Sequence, residues 1–150
     1  MSDKKIVGVI LSGAGFLDGT EIQEAVLVLL ALDRAGAEVR IYAPDVKLEE
    51  IDHFTGKPTG GSRSVLAESA RIARCNVVDL ATVKGADVDA WVMPGGYGAA
   101  KNLSDFATKG AAATVNKDVG RIVREAFAAQ IPIGACCIAP AILEIGRAHV

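Results

Sequence analysis

The feature that most constrains this chain is a short apolar run that reaches two adjacent cysteines, then small residues and a proline. The run is PIGACCIAP, at residues 132–140. Its first half is typical of a buried strand, and the residues from Ile138 onward are typical of the start of a helix. A cysteine at such a turn projects from the edge of a sheet, where the next helix favours its thiolate. The stretch predicts a nucleophile elbow with cysteine in place of serine, unless both cysteines are simply small core residues.

Composition and charge exclude several classes of protein. The length of 150 residues suits one domain. Hydrophobic residues make up 51% of the chain and charged residues 23%, which is enough apolar material for a folded core. The net charge of -2 has no basic block that would bind nucleic acid, and no apolar run could span a bilayer. The three cysteines form neither a disulfide framework nor a metal-binding spacing. We therefore expect a cytoplasmic protein without a metal, a cofactor, a nucleic-acid partner or a membrane partner.

Apolar runs and helical patterns alternate along the chain. The predicted strands are residues 5–11, 38–43, 76–79, 90–93 and 131–136. The predicted helices are residues 21–34, 63–74 and 116–130, with a short helical turn at 81–86. Thr20 is the expected N-cap of the first helix, and residues 53–61 are expected to form a loop or short hairpin. This alternation predicts an α/β sandwich around a mostly parallel sheet.

Ligands of such sheets bind beyond the carboxyl ends of the strands, where three loops should converge: residues 12–20, 94–103 and 136–140. In the second loop, the glycines at 95 and 96 could turn a backbone N–H toward a substrate oxygen. Together with the Ile138 N–H, that group would form a two-donor oxyanion hole. The alternative is a plain tight turn.

Acidic residues open the first predicted helix. Glu21 and Glu24 suit the positive end of the helix dipole, which is the usual reason for an acid there. If Glu24 instead faces the end of the sheet, burial would favour its neutral form, and it could move a proton. The glycines of the first loop do not match a dinucleotide fingerprint. His53 lies in a polar loop. It is either a surface residue, as is usual there, or part of a pocket wall or a proton carrier.

Six stretches, taken in order, resemble the glyoxalase ElbB family, the isoprenoid biosynthesis glyoxalases of the PfpI-type class I glutamine amidotransferase-like superfamily. They are VILSGAG at 9–15, DGTEIQEAV at 18–26, YAPD at 42–45, HFTG at 53–56, PGGYGAAKNLS at 94–104 and CIAPA at 137–141. The resemblance implies a flavodoxin-like three-layer sandwich. It also implies a homodimer and a small dicarbonyl substrate.

The resemblance assigns roles to individual residues. It implies that Cys137 rather than Cys136 is the nucleophile, that Glu24 is the catalytic carboxylate, and that Gly96 and Ile138 form the oxyanion hole. The residues that it implies for a substrate pocket are Ser12, Gly13, Glu21, His53 and Asn102. The implied activity is that of a glyoxalase III-like lyase, which converts methylglyoxal or glyoxal to a 2-hydroxy acid without a cofactor.

The chain departs from the superfamily in two places. Protease-like members have histidine directly after the nucleophile, whereas this chain has Ile138. The resemblance ends at residue 143, so we expect residues 1–143 to be a partial domain, incomplete at its C-terminus, and residues 144–150 to be a non-native tail. Gly146 is expected to break the last helix. Two other functions remain open: a non-catalytic redox module that senses oxidants through Cys137, and a nucleotide-binding domain.

Overall fold

Strands and helices alternate along residues 4–147, the part of the chain that this computed structural model describes. The strands are β1 (Ile6–Ile10), β2 (Glu38–Ala43), β3 (Lys47–Asp52), β4 (Lys57–Ser64), β5 (Val78–Asp79), β6 (Ala90–Met93) and β7 (Ile133–Ala135). The helices are α1 (Ile22–Arg34), α2 (Val65–Ala73), α3 (Tyr97–Lys101), α4 (Phe106–Lys109), α5 (Lys117–Ala128) and α6 (Pro140–Arg147).

The central layer is a parallel sheet with the strand order β5-β2-β1-β6-β7. This confirms the predicted flavodoxin-like α/β fold with a mostly parallel sheet. The chain builds the sheet in one direction from β1 to β2 and β5, and then in the other direction through β6 and β7. The order therefore reverses between β1 and β6, and the crevice at their carboxyl ends is where ligands of open α/β sheets bind.

Helices cover both faces of the sheet and make it the middle of three layers. On one face, Val9 of β1 and Leu11, which follows the strand, pack with Ala25 of α1 and Ile72 of α2. On the other, the fully buried Trp91 of β6 lies in the larger core, which α5 and α6 cover. The Trp91 indole Nε1 donates a hydrogen bond to the Gly85 carbonyl, at 2.8 Å. Burial on both faces explains why these strands are continuous apolar runs.

The first helix begins one residue later than its sequence pattern suggests. Its N-cap is Glu21, whose carboxylate accepts a hydrogen bond from the Glu24 N–H at 2.7 Å. The prediction of Thr20 as the cap is wrong, because the Thr20 hydroxyl accepts the Ser12 N–H instead, at 2.7 Å. A hydroxyl that could cap the helix is thus used to hold the loop before it.

Two further elements differ from expectation. Strands β3 and β4 form an antiparallel hairpin that extends well beyond the predicted loop, with a register shift between Glu49 and Ile51. The last helix continues through Gly146 to Arg147, so the expectation that Gly146 breaks it is wrong. Gly146 is buried near Val123 of α5, and packing between the two helices offsets the low helix propensity of glycine. None of the helices within residues 4–147 is long and apolar enough to cross a bilayer.

Trp91→Phe is expected to lower the free energy of unfolding by about 1–3 kcal/mol, because the buried Gly85 carbonyl loses its donor and the core loses volume. Urea unfolding measures the difference. Phe54→Ala is the control, since the Phe54 side chain is 97% exposed and its loss should change stability by less than about 0.5 kcal/mol. Equal effects of the two variants would contradict this view of the core.

Candidate active site

Three loops meet at the carboxyl ends of β1, β6 and β7, as predicted. The first two are joined by backbone hydrogen bonds, among them Glu21 N–H to the Gly95 carbonyl at 3.0 Å and Gly98 N–H to the Gly19 carbonyl at 2.8 Å. The third is fixed to β6 by the Cys136 N–H, which donates to the Met93 carbonyl at 3.1 Å. The loops therefore form one connected surface over the point where the strand order reverses.

Cys137 lies at a sharp turn between β7 and α6. Its φ is +57°, in the left-handed region that residues with a side chain rarely adopt, and its side chain is exposed. The Ala139 N–H closes the turn on the Cys136 carbonyl at 3.0 Å. Helix α6 starts at Pro140 rather than at Ile138, with proline in the first helical position that it favours. This is the strained, exposed geometry of a nucleophile elbow.

Glu24 and Cys137 flank the same backbone position. The Glu24 Oε2 accepts a hydrogen bond from the Gly95 N–H at 2.7 Å. An ideal Cβ built on Gly95 would lie 2.6 Å from the Cys137 Cβ and 2.8 Å from the Glu24 Oε2. The structure therefore brings the carboxylate of α1 to the turn that carries the exposed thiol. The other oxygen, Oε1, has no hydrogen-bond partner among residues 4–147.

The glycines after β6 have different roles. The Gly95 N–H is already used by Glu24, so it is not a free donor. Gly96 has a φ of +96°, and a side chain there would collide with the Glu21 N and the Gly19 carbonyl. Within residues 4–147, neither the Gly96 N–H nor the Ile138 N–H has an acceptor. Those two N–H groups remain able to bind the oxygen of a ligand.

The neighbouring thiol, Cys136, is in a different environment. It is partly buried, and its Sγ donates to the Met93 carbonyl at 3.7 Å. Burial raises the pKa of the Cys136 thiol above its ordinary value, and the charges of Glu24 and Cys137 act in the same direction. Since the thiolate is the nucleophile, Cys136 is poorly suited to that role near neutral pH.

Three residues expected in a substrate pocket make hydrogen bonds that support the first loop. The Asn102 Nδ2 donates to the carbonyls of Ser12 and Asp18, both at 2.8 Å. The Gly13 N–H donates to the Ser69 hydroxyl at 2.9 Å. These bonds satisfy the buried backbone of the loop, so the sequence signal at Ser12, Gly13 and Asn102 reflects loop conformation at least as much as ligand binding.

Glu21 and His53 also have structural partners. Glu21 caps α1, which was the simpler of its two interpretations. The His53 ring accepts the Leu17 N–H at Nε2, 3.3 Å away, and its Nδ1 lies 3.0 Å from the Ile51 carbonyl. With Nε2 as the acceptor, Nδ1 carries the proton and donates to that carbonyl. His53 thus joins the hairpin to the first loop.

The sequence analysis missed an ion-pair network beneath the first loop. Asp18 is 1% exposed, and its Oδ2 accepts from the Arg63 Nη2 at 2.6 Å and from the Ile51 N–H at 2.9 Å. Arg63 also lies 3.3 Å from a carboxylate oxygen of the buried Glu68. Asp18 and Arg63 are 45 residues apart in the sequence, so no local sequence pattern predicts that they pair. An acid inside a glycine-rich loop was the one available hint.

Among residues 4–147, no group of three or more His, Cys, Asp or Glu side chains is arranged to hold a metal ion. The groups that the site presents to a ligand are an exposed thiol, a nearby carboxylate and two backbone N–H donors.

No protein-family model matches the chain. It is 55% identical over 136 residues to human glutamine amidotransferase-like class 1 domain-containing protein 3, mitochondrial, and 54% identical over 136 residues to the rat ES1 protein homolog, mitochondrial. Each alignment covers 89% of this chain and 51% of the relative. The chain therefore spans about half the length of these curated relatives.

A solved structure gives a similar result. The isoprenoid biosynthesis protein with an amidotransferase-like domain from Ehrlichia chaffeensis matches with a TM-score of 0.87 and 41% identity. The match covers 92% of this chain and 66% of that one. Fold and site together define an α/β protein with a cysteine elbow at the reversal point of a parallel sheet. The chain belongs to the class I glutamine amidotransferase-like superfamily.

The expectation of a cytoplasmic location is wrong, because the human and rat relatives are mitochondrial proteins. That expectation used the cysteine content, which indicates a reducing environment. It does not distinguish between compartments in which thiols stay reduced.

Arg63→Met is expected to destabilise the protein by about 3–5 kcal/mol, because it leaves the buried Asp18 carboxylate without its cation. Chemical denaturation measures the loss. Arg71→Met is the matched control: Arg71 also pairs with Glu68, at 2.9 Å, but its side chain is 69% exposed, so the cost should stay below about 1 kcal/mol. A small effect of Arg63→Met would show that the network contributes little.

Proposed function

We propose that this chain supplies the nucleophile and the carboxylate of a glyoxalase of the ElbB type. The reaction would convert methylglyoxal or glyoxal to a 2-hydroxy acid without a cofactor. The observation that carries the proposal is the position of the Glu24 carboxylate and Cys137 on either side of Gly95. The isoprenoid biosynthesis protein of Ehrlichia chaffeensis, at 41% identity, supports the family assignment.

The first step forms a bond between the thiol and the substrate. The Cys137 thiolate attacks the aldehyde carbon, and the carbonyl electron pair moves to the oxygen to give a hemithioacetal. The Gly96 and Ile138 N–H groups, which have no acceptor within residues 4–147, would stabilise the oxyanion as it develops. Cys137 is exposed at the turn, so a small dicarbonyl can reach it.

The second step moves hydrogen between two carbons. Glu24 takes a proton from the former aldehyde carbon, an enediol forms, and the same carboxyl returns a proton to the adjacent carbon. The product of this shift is a thioester on Cys137. Water then cleaves the thioester, which releases lactate from methylglyoxal, or glycolate from glyoxal, and restores the thiol. The sum is addition of one water to the substrate, so no external oxidant or reductant is needed.

The same residues argue against amide hydrolysis. A cysteine amidase needs a base beside the nucleophile and an acid for the leaving amine, which histidine commonly supplies. The residue after Cys137 is Ile138, and His53 hydrogen-bonds to the hairpin and the first loop. A carboxylate that moves a proton between adjacent carbons needs no such histidine.

Cys137→Ala is expected to abolish formation of D- or L-lactate from methylglyoxal, because it removes the exposed thiol of the elbow, which forms the hemithioacetal in the proposed reaction. Cys136→Ala should retain most of the turnover, since burial keeps that thiol protonated near neutral pH. Enzymatic lactate assays on the whole 150-residue chain check both variants.

The opposite pattern would assign the nucleophile to Cys136. Absence of turnover in the wild-type chain would refute the proposed function for this chain. If peroxide then oxidised Cys137 and changed the binding of a partner, the protein would instead be a redox sensor.

A further inference from the structure

We propose that Gly95 is a positioning residue, which sets the spacing between Glu24 and Cys137 by having no side chain and orients the Glu24 carboxylate through its N–H. Its effect on turnover rests on the proposed function, whereas its effect on the position of Glu24 does not. Sequence analysis treated Gly95 only as one of a pair of flexible glycines.

The space around Gly95 is filled on three sides. An ideal Cβ would lie 2.6 Å from the Cys137 Cβ, 2.8 Å from the Glu24 Oε2 and 3.1 Å from the Cys136 carbonyl oxygen. Real Cβ atoms essentially never come within 3.0 Å of such neighbours, so at least one of them would have to move. A hydrogen atom at this position is therefore what allows carboxylate and thiol to share one backbone position.

The requirement for glycine is spatial and not conformational. Gly96, the next residue, has a φ of +96° and needs glycine for its backbone as well. Gly95 is not among the residues with positive φ, so alanine can adopt its backbone conformation. Gly95→Ala consequently tests the spacing without a demand on the φ of residue 95.

The group that yields most easily is the carboxylate. The Cys137 Cβ and the Cys136 carbonyl are tied to the backbone of the elbow, whereas the Glu24 carboxylate is the end of a flexible side chain. A methyl group on Gly95 would therefore displace Glu24 and break its 2.7 Å hydrogen bond to the Gly95 N–H, and the 2.6 Å contact of the methyl group with the Cys137 Cβ would also push the elbow away. The Glu24 carboxylate would then be too far away to take a proton from the substrate carbon that is bonded to Cys137.

Cys136 provides a readout that does not depend on turnover. Burial raises its pKa most, the charges of Glu24 and Cys137 raise it further, and the Gly95 N–H acts in the opposite direction. Displacement of the Glu24 charge should therefore shift the pH profile of Cys136 alkylation to lower pH. Glu24→Gln removes the charge without adding bulk at Gly95, and it defines the size of shift to expect.

The experiment measures the rate of Cys136 alkylation by iodoacetamide against pH, resolved by mass spectrometry, together with kcat and KM for methylglyoxal. We expect Gly95→Ala to shift the alkylation profile in the same direction as Glu24→Gln. We also expect it to lower kcat about a hundredfold with a smaller change in KM, as for a misplaced catalytic group. Gly134→Ala is the matched control, because Gly134 is exposed on β7 and its Cβ would meet nothing closer than 3.7 Å.

An unchanged alkylation profile in Gly95→Ala, beside a shifted one in Glu24→Gln, would overturn the proposal. So would the absence of a shift in both. If Gly95→Ala does not fold, Glu24→Asp replaces it. The shorter side chain moves the carboxylate away from the Gly95 N–H, and no methyl group is added at Gly95. Its profile must then shift, or the proposal fails. If the wild-type chain shows no turnover but the profiles shift as expected, the proposed function fails and the role of Gly95 stands.

Discussion

The peptide groups of Gly95 join the sheet to the first helix. The Gly95 carbonyl accepts the Glu21 N–H at 3.0 Å, and the Gly95 N–H donates to the Glu24 carboxylate at 2.7 Å. Glu21 is the N-cap of α1 and Glu24 lies in its first turn, so the start of the helix holds the turn after β6 at two points. The remaining geometry of the site depends on this junction, because Cys137 approaches the same glycine from β7.

The parts of the fold that could be predicted are those in which the cause is local. Continuous apolar runs predict strands covered on both faces, and β1 and β6 were placed to within a residue or two for this reason. An elbow at the two adjacent cysteines was predictable because a strand, small residues and a proline follow each other directly in the sequence, and family resemblance selected Cys137. Glu24 was placed by family resemblance and could not be singled out from Glu21 by pattern alone.

The parts that could not be predicted depend on partners far apart in the sequence. Asp18 is one such case, because its buried carboxylate is paired with Arg63 of β4. The hairpin of β3 and β4 was underestimated because its glycines and proline are typical of loops, whereas pairing with a partner strand overrides that preference. Thr20 was taken for a cap because its competing role, acceptance of the Ser12 N–H, is visible only in three dimensions.

The two adjacent cysteines show how one turn gives identical side chains different chemistry. Cys136 comes directly after β7, and its thiol is partly buried and hydrogen-bonded to the Met93 carbonyl. Burial raises the pKa of this thiol. The next residue adopts a φ of +57°, and its side chain becomes exposed. Backbone strain at Cys137 is thus the physical difference between a thiol held in the protein and a thiol presented to solvent. The residues after the turn hold this strained conformation in place, because Ala139, just before α6, and Ile142 of α6 are buried in the larger core around Trp91.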